Sequence, residues 1–175
     1  MHILEFPVMR QTYNYDCGAK ALQCVLEYYG IDAREDHIMH YAHTNSKDGT
    51  SINNLVKTAK HYGLRAEARS LNILDIKKFI DKEIPVIVDI QAYPEKKLLH
   101  WDRDWKDGHY VVAIGYNSHY LFFADPSSVF ITYLSYSEFL ERWHDKDNNK
   151  KYFNYGIIVY GKKPKFKTNK RVHLD

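Results

Sequence analysis

The order of apolar and polar positions divides the chain into a helical first half and a strand-rich second half. From Cys17 onward, Ala21, Leu22, Val25, Leu26 and Tyr29 fall on one helical face, and Gly30 stands where a left-handed residue would close the helix. A shorter helix is expected from the capping pattern Asp32-Ala33-Arg34-Glu35 through Ala42, with Ile38 and Met39 turned inward. Thr50 or Ser51 can cap a third helix, in which Ile52, Leu55, Val56, Ala59 and Tyr62 keep helical spacing up to Gly63. Leu64, Ala66 and Ala68 alternate as a short strand does, and Ile76, Phe79 and Ile80 give residues 74–82 a helical face.

After residue 84 the period changes. Pro85-Val86-Ile87-Val88-Asp89-Ile90 is a β-branched run with proline at a strand's first position. Residues 109–116 and 120–125 read as two strands separated by the turn Asn117-Ser118-His119. A strand over 130–133, a short helix capped by Ser135 and Glu138 through Trp143, and a last strand over 155–160 complete the pattern. The lead-in 2–10 reads as extended, since Pro7 disfavours helix. The sixteen residues 93–108 show no period, and loops of that length in compact domains are often binding loops.

Composition narrows the class. At 175 residues, 45% hydrophobic and 27% charged, the chain is long enough for one domain with a sizeable core, and its 15 tyrosines suit a sheet-containing fold with a contact-rich surface. No secretory leader pattern opens it and no apolar run approaches the ~18 residues that span a bilayer, so a cytoplasmic protein without a transmembrane segment is expected. The net charge of +3 hides an asymmetry: residues 162–175 hold six basic side chains and one acidic, which leaves −2 for residues 1–161. The expected organisation is one domain over 1–161 and a solvated basic tail over 162–175, able at most to touch anionic surfaces weakly. His37, His40 and His43 drift around their helix with no cysteine beside them and read as a polar face. With no repeat, phosphate loop or zinc spacing in the chain, neither a cofactor nor a metal is expected, and no nucleic-acid partner.

The chemistry centres on Cys17. A thiol at a helix N-terminus lies among unpaired backbone N–H groups and the positive end of the helix dipole, which favour thiolate. Asp16 is a plausible N-cap, and Gly18 leaves room for a substrate backbone to approach the sulfur. Gln11, six positions earlier, can offer its side-chain amide beside the Cys17 N–H to an oxyanion. A lone cysteine is usually a small buried hydrophobe, but a thiol nucleophile needs a base and a group that orients it, and one hairpin supplies both. His109 starts the first strand and Asp125 ends the second, so antiparallel pairing brings them to one end. Asp107 and Asn117 are the competing orienters. Cys24 lies about 10 Å along the same helix from Cys17, too far for a disulfide, so both thiols are expected free and Cys24 inert.

These residues resemble a known family, the bacteriocin-processing C39 cysteine peptidases, relatives of papain. The resemblance rests on Gln11, five residues and Cys17-Gly18, then Tyr28-Tyr29-Gly30, Gly49-Thr50-Ser51, Pro85-Val86-Ile87, Gly108-His109-Tyr110-Val111-Val112 and Asp125-Pro126, and covers about residues 8–161. It implies an α+β, papain-like fold: an N-terminal helical half carrying the cysteine and a C-terminal antiparallel sheet carrying histidine and aspartate. It also implies that Gln11 is the oxyanion donor, Cys17 the nucleophile, His109 the base and Asp125 the orienter, with a peptide or protein as substrate. Gly18, Tyr93, Trp101, Trp105 and Gly108 are the expected substrate contacts, the three aromatics walling a cleft narrow enough to prefer a pair such as Gly-Gly before the cut. Family members known for cutting double-glycine leaders are fused to a membrane exporter. Without such a segment here, the expected protein is a stand-alone thiol hydrolase working through an acyl-enzyme, with acyl transfer to an amine or non-catalytic peptide binding as the alternatives.

Overall fold

The change of period in the sequence becomes a change of architecture. A computed structural model describes residues 1–94, 100–147 and 149–174. It runs β1 (His2–Ile3), α1 (Cys17–Tyr28), α2 (Glu35–Tyr41), α3 (Ile52–His61), β2 (Arg65–Ser70), α4 (Ile73–Asp81) and β3 (Val86–Gln91). There follow β4 (Gly108–Tyr116), β5 (Tyr120–Ala124), β6 (Thr132–Ser135), α5 (Tyr136–Arg142), β7 (His144–Asp147), β8 (Lys150–Phe153) and β9 (Tyr155–Tyr160). Seven of the described strands form one antiparallel sheet in the order β2-β9-β3-β4-β5-β6, with β1 paired to the far end of β4. β4 is buried from His109 to Gly115, so both faces of the sheet centre are covered.

The mount for Cys17 is built from sequence signals already noted. Leu22, Val25 and Leu26 are completely buried, each contributing roughly 1.5–3 kcal/mol. Gly30, at φ 73°, donates to the Glu27 carbonyl, and the Ile31 N–H donates to the Leu26 carbonyl, a Schellman closure that needs glycine's left-handed freedom. The Tyr29 hydroxyl donates to the Val159 carbonyl at 2.9 Å and the Tyr28 hydroxyl to the Glu83 carbonyl at 3.1 Å, which ties α1 to the sheet half.

Four features differ from the sequence reading. Glu35 does not cap α2 from Asp32: the helix starts at Glu35 after Arg34, because the Glu35 carboxylate is held by Lys20 at 3.0 Å and by the Thr12 hydroxyl at 2.5 Å. β6 starts at Thr132, and Phe130 stays 75% exposed outside it. The polar stretch after Trp143 forms the β7–β8 hairpin, for which no alternating apolar pattern prepared. The tail is not simply solvated. Lys165 and Phe166 N–H groups donate to the Tyr28 carbonyl, Phe166 packs on the core, and Lys167 and Thr168 bond the Glu5 carboxylate at 3.0 and 2.7 Å. Free carbonyls at a helix end accept such donors readily, and the basic side chains there suit the negative end of the dipole. Among the described residues no helix is long and apolar enough to cross a membrane.

Candidate active site

Cys17 is the first residue of α1 and is partly buried. Asp16 occupies the N-cap position, but its side chain turns back on the preceding loop, accepting from the Thr12 N–H at 3.2 Å and the Tyr13 N–H at 3.0 Å. It therefore shapes the approach to Cys17 rather than capping the helix. Asp16 is fully buried, and burial, followed by the charge of Glu35, pushes its carboxyl upward against the pull of those N–H donors. Gln11 sits at the start of this loop. Its backbone N–H donates to the Pro126 carbonyl at 2.8 Å and its amide N–H to the Tyr13 carbonyl at 2.5 Å, while its side-chain oxygen accepts from the Ser127 hydroxyl at 3.4 Å.

The hairpin delivers the other two groups as expected. His109 lies at the start of β4, and Asp125 directly follows β5; the two meet through Nε2 and Oδ1 at 2.8 Å, both buried. Of the competing orienters, Asn117 caps the hairpin turn through the His119 and Tyr120 N–H groups, and the Asp107 N–H donates to Gln91. Burial works to lower His109, but its hydrogen bonds to Asp125 and Cys17 and their charges outweigh it, and the imidazole is raised to about 9. With Nε2 engaged by Asp125, Nδ1 is left for the sulfur. Asp125 is held below the usual carboxylate range: burial would raise it, but the His109 bond, the Tyr93 hydroxyl and the Ser127 N–H win.

A cleft of about 430 Å³ opens beside Cys17 between the loop around Gly49 and the β7–β8 hairpin. Of the expected substrate contacts, Trp105 and Gly108 line it. Trp105 is set by ring contacts with His144 and Phe153 and by the Lys151 ammonium 4.3 Å over its face. The other three have different surroundings. Trp101 lies under the Arg142 guanidinium at 3.8 Å, Tyr93 turns its hydroxyl onto Asp125, and a Cβ at Gly18 would stand 3.0 Å from the Tyr110 ring and 3.1 Å from Thr50. The missing side chain at Gly18 thus lets the start of α1 press against β4, which is a packing role.

Several residues here were missed from sequence. Asp89 interrupts an otherwise β-branched run, the one sign that it serves something besides the core. It faces the cleft near Cys17, and burial, then the neighbouring Asp145, hold its carboxyl well above the usual range. Buried Gln91 joins three segments: its amide donates to the His144 carbonyl at 2.9 Å and to Asp145 at 2.8 Å, and its oxygen accepts from the Asp107 N–H at 3.0 Å. Nothing local in the sequence marks that role, because all its partners are distant in the chain. Among the described residues no group of three or more His, Cys, Asp or Glu is placed to hold a metal ion.

Residues 5–146 match the family described as the Peptidase C39 family. The chain is 33% identical over 134 residues to the pediocin PA-1 transport/processing ATP-binding protein PedD of Pediococcus acidilactici, a match covering 76% of this chain and 17% of that protein. It therefore spans about a sixth of that relative's length. Among solved structures, a double glycine motif protease from an AMS/PCAT transporter, in complex with the leader peptide, superposes with a TM-score of 0.66 at 22% identity, over 94% of this chain and 95% of that one. A C39-like peptidase from Bacillus anthracis gives 0.67 at 17% identity, over 94% and 98%. At these identities the likeness is one of fold, the papain-like α+β arrangement of a helical half against an antiparallel sheet.

Proposed function

Because the chain belongs to the peptidase C39 family, a family of cysteine peptidases, we propose that it hydrolyses peptides through an acyl-enzyme formed on Cys17. In this reading the Cys17 thiolate adds to the scissile carbonyl. The resulting oxyanion is met by the Cys17 N–H and by Gln11, whose amide has a second N–H besides the one given to Tyr13. The His109 imidazolium passes its proton to the leaving amine as the C–N bond breaks, leaving a thioester. Water then attacks the thioester with His109 as base, and the acid product departs as the thiolate re-forms. Asp125 keeps the ring turned so that Nδ1 serves the sulfur throughout.

The observation that carries this reading is the buried His109–Asp125 pair at 2.8 Å, with Cys17 at the start of α1 among the groups acting on the same ring. For the cut site we propose a small pair such as Gly-Gly, whose lack of side chains lets the substrate backbone reach the sulfur. Trp105 is the aromatic wall that supports this preference, and upstream substrate residues would supply the remaining binding energy. The test is a peptide library read by mass spectrometry. Cleavage after small residues by the native chain and none by Cys17→Ala is expected; preference for a large residue before the cut would overturn the small-pair reading.

A further inference from the structure

We propose that Tyr93 is a positioning residue for this site: its hydroxyl holds the second oxygen of Asp125 while its ring stands against His109, fixing how the carboxylate grips the imidazole. The inference rests on the reading of Cys17, His109 and Asp125 as the catalytic set.

Asp125 is 3% exposed and receives donors on both oxygens. Oδ1 takes His109 Nε2 and the Ser127 N–H, each at 2.8 Å, and Oδ2 takes the Tyr93 hydroxyl at 2.5 Å. A carboxylate anchored at both ends cannot rotate to offer His109 the other oxygen or to follow the ring out of place. The Tyr93 ring meets the His109 ring edge to face, 5.3 Å between centroids at 85°, so the same residue restrains both partners.

Burial does not explain why Tyr93 lies there. Its side chain leaves the residue 58% exposed, and the hydroxyl is the anchored part. Its backbone is left-handed, at φ 55°, which costs of order 1 kcal/mol for a tyrosine. The preceding residue is held in register by the Ala92 N–H donating to the Asp107 carbonyl at 2.9 Å, close to the start of β4. Burial, then Asp125, keeps the Tyr93 hydroxyl protonated well beyond its ordinary range, so it remains a donor at every pH where the enzyme would work. The groups acting on His109 are Cys17 from α1 and Asp125 from the end of β5, with Tyr93 against its ring; the charge of Arg142 of α5 acts on Tyr93 in turn.

The direction of the effect follows from charge. A hydroxyl donating to Oδ2 draws negative charge away from the carboxylate and weakens its hold on the imidazolium. Tyr93→Phe keeps the ring and removes only that donor. The experiment measures the rate of iodoacetamide labelling at Cys17 against pH, located by peptide mapping, in the native chain and in Tyr93→Phe, with thermal midpoints alongside. In the native chain labelling should rise in a step at acidic pH, where the thiolate–imidazolium pair forms. In Tyr93→Phe that step should stay in place, since the imidazolium is present on both sides of it, while a second, alkaline step, where the imidazolium loses its proton, should move to higher pH by about half a unit or more, because the freed carboxylate stabilises the imidazolium further. An alkaline step that stays in place or moves down in the variant overturns the proposal, whatever happens to stability or peptide turnover. Absence of any acidic step in the native chain would instead overturn the Cys17–His109 pairing, and this proposal with it.

Discussion

Two thiols seven residues apart on α1 have opposite surroundings. Cys24 is 2% exposed, and burial pushes its thiol up to about 11, so it stays protonated and unreactive near neutral pH. Cys17 is partly open to the cleft. Mapping of iodoacetamide adducts at mildly acidic pH should find Cys17 labelled and Cys24 untouched; the reverse order would remove Cys17 from the mechanism. His109 carries a second expectation. Its folded value of about 9 lies above the ordinary 6.5, so its interactions contribute stability that is complete below about 6.5 and is lost as pH rises through about 9. Asp125→Asn removes the strongest single interaction that raises it. The gap in thermal midpoint between the native chain and Asp125→Asn should therefore be widest near pH 6 and shrink toward pH 10, and a gap that grows with pH would contradict the assignment. The place of Cys17 at a helix start and the meeting of His109 with Asp125 were legible in the sequence because a helix start and a hairpin end are local signals. Tyr93 and Trp101 lie outside the lining of the cleft beside Cys17, a placement no local pattern reveals for an aromatic in a long loop.

At the scale of elements, α1 depends on close contacts at its first turn. Gly18→Ala would place a Cβ 3.0 Å from Tyr110 and 3.1 Å from Thr50, and overpacking of this kind costs about 1–3 kcal/mol, more than alanine's helical preference returns. A fall in thermal midpoint of about 2–4 °C per kcal/mol is expected, and an unchanged midpoint would show that β4 yields easily. The loop carrying Gln11 is tied to the helices by the Thr12 hydroxyl on Glu35, a carboxylate that Lys20 of α1 also holds, at 3.0 Å with side chains 9% and 15% exposed. Helices α1, α3 and α4 and the central strands were readable from periodicity and caps. The capping pattern before α2 misled because Glu35 is claimed by Lys20 and Thr12, residues too far back in the chain to weigh in a local motif. The β7–β8 hairpin was invisible because β7 is polar throughout and β8 offers only Tyr152 and Phe153 at its end, too little for an apolar period; pairing, Gln91 and the packing of Tyr152 hold it.

For the whole molecule, the C-terminal segment and the site lie at opposite ends of α1. Residues 165–168 bond Tyr28 and Glu5, whereas Cys17 opens the helix. Deleting residues 162–175 should lower the thermal midpoint by a few degrees, from the lost packing of Phe166, worth about 1 kcal/mol. Peptide hydrolysis at 25 °C should be unchanged, since every proposed catalytic residue precedes the deletion; loss of hydrolysis in a folded truncate would show that the segment reaches the site. Composition gave no hint of this docking, because a lysine-rich terminus looks the same whether solvated or bound to a helix end. The central claim is that Cys17 forms an acyl-enzyme with a peptide carbonyl. Its most direct test is intact-protein mass spectrometry after rapid acid quenching of the chain with a Gly-Gly-containing peptide ester. A mass increase equal to the acyl portion, mapped to Cys17 and absent from Cys17→Ala, is expected; an adduct that persists in Cys17→Ala, or ester turnover with no adduct and no dependence on Cys17, would contradict the account.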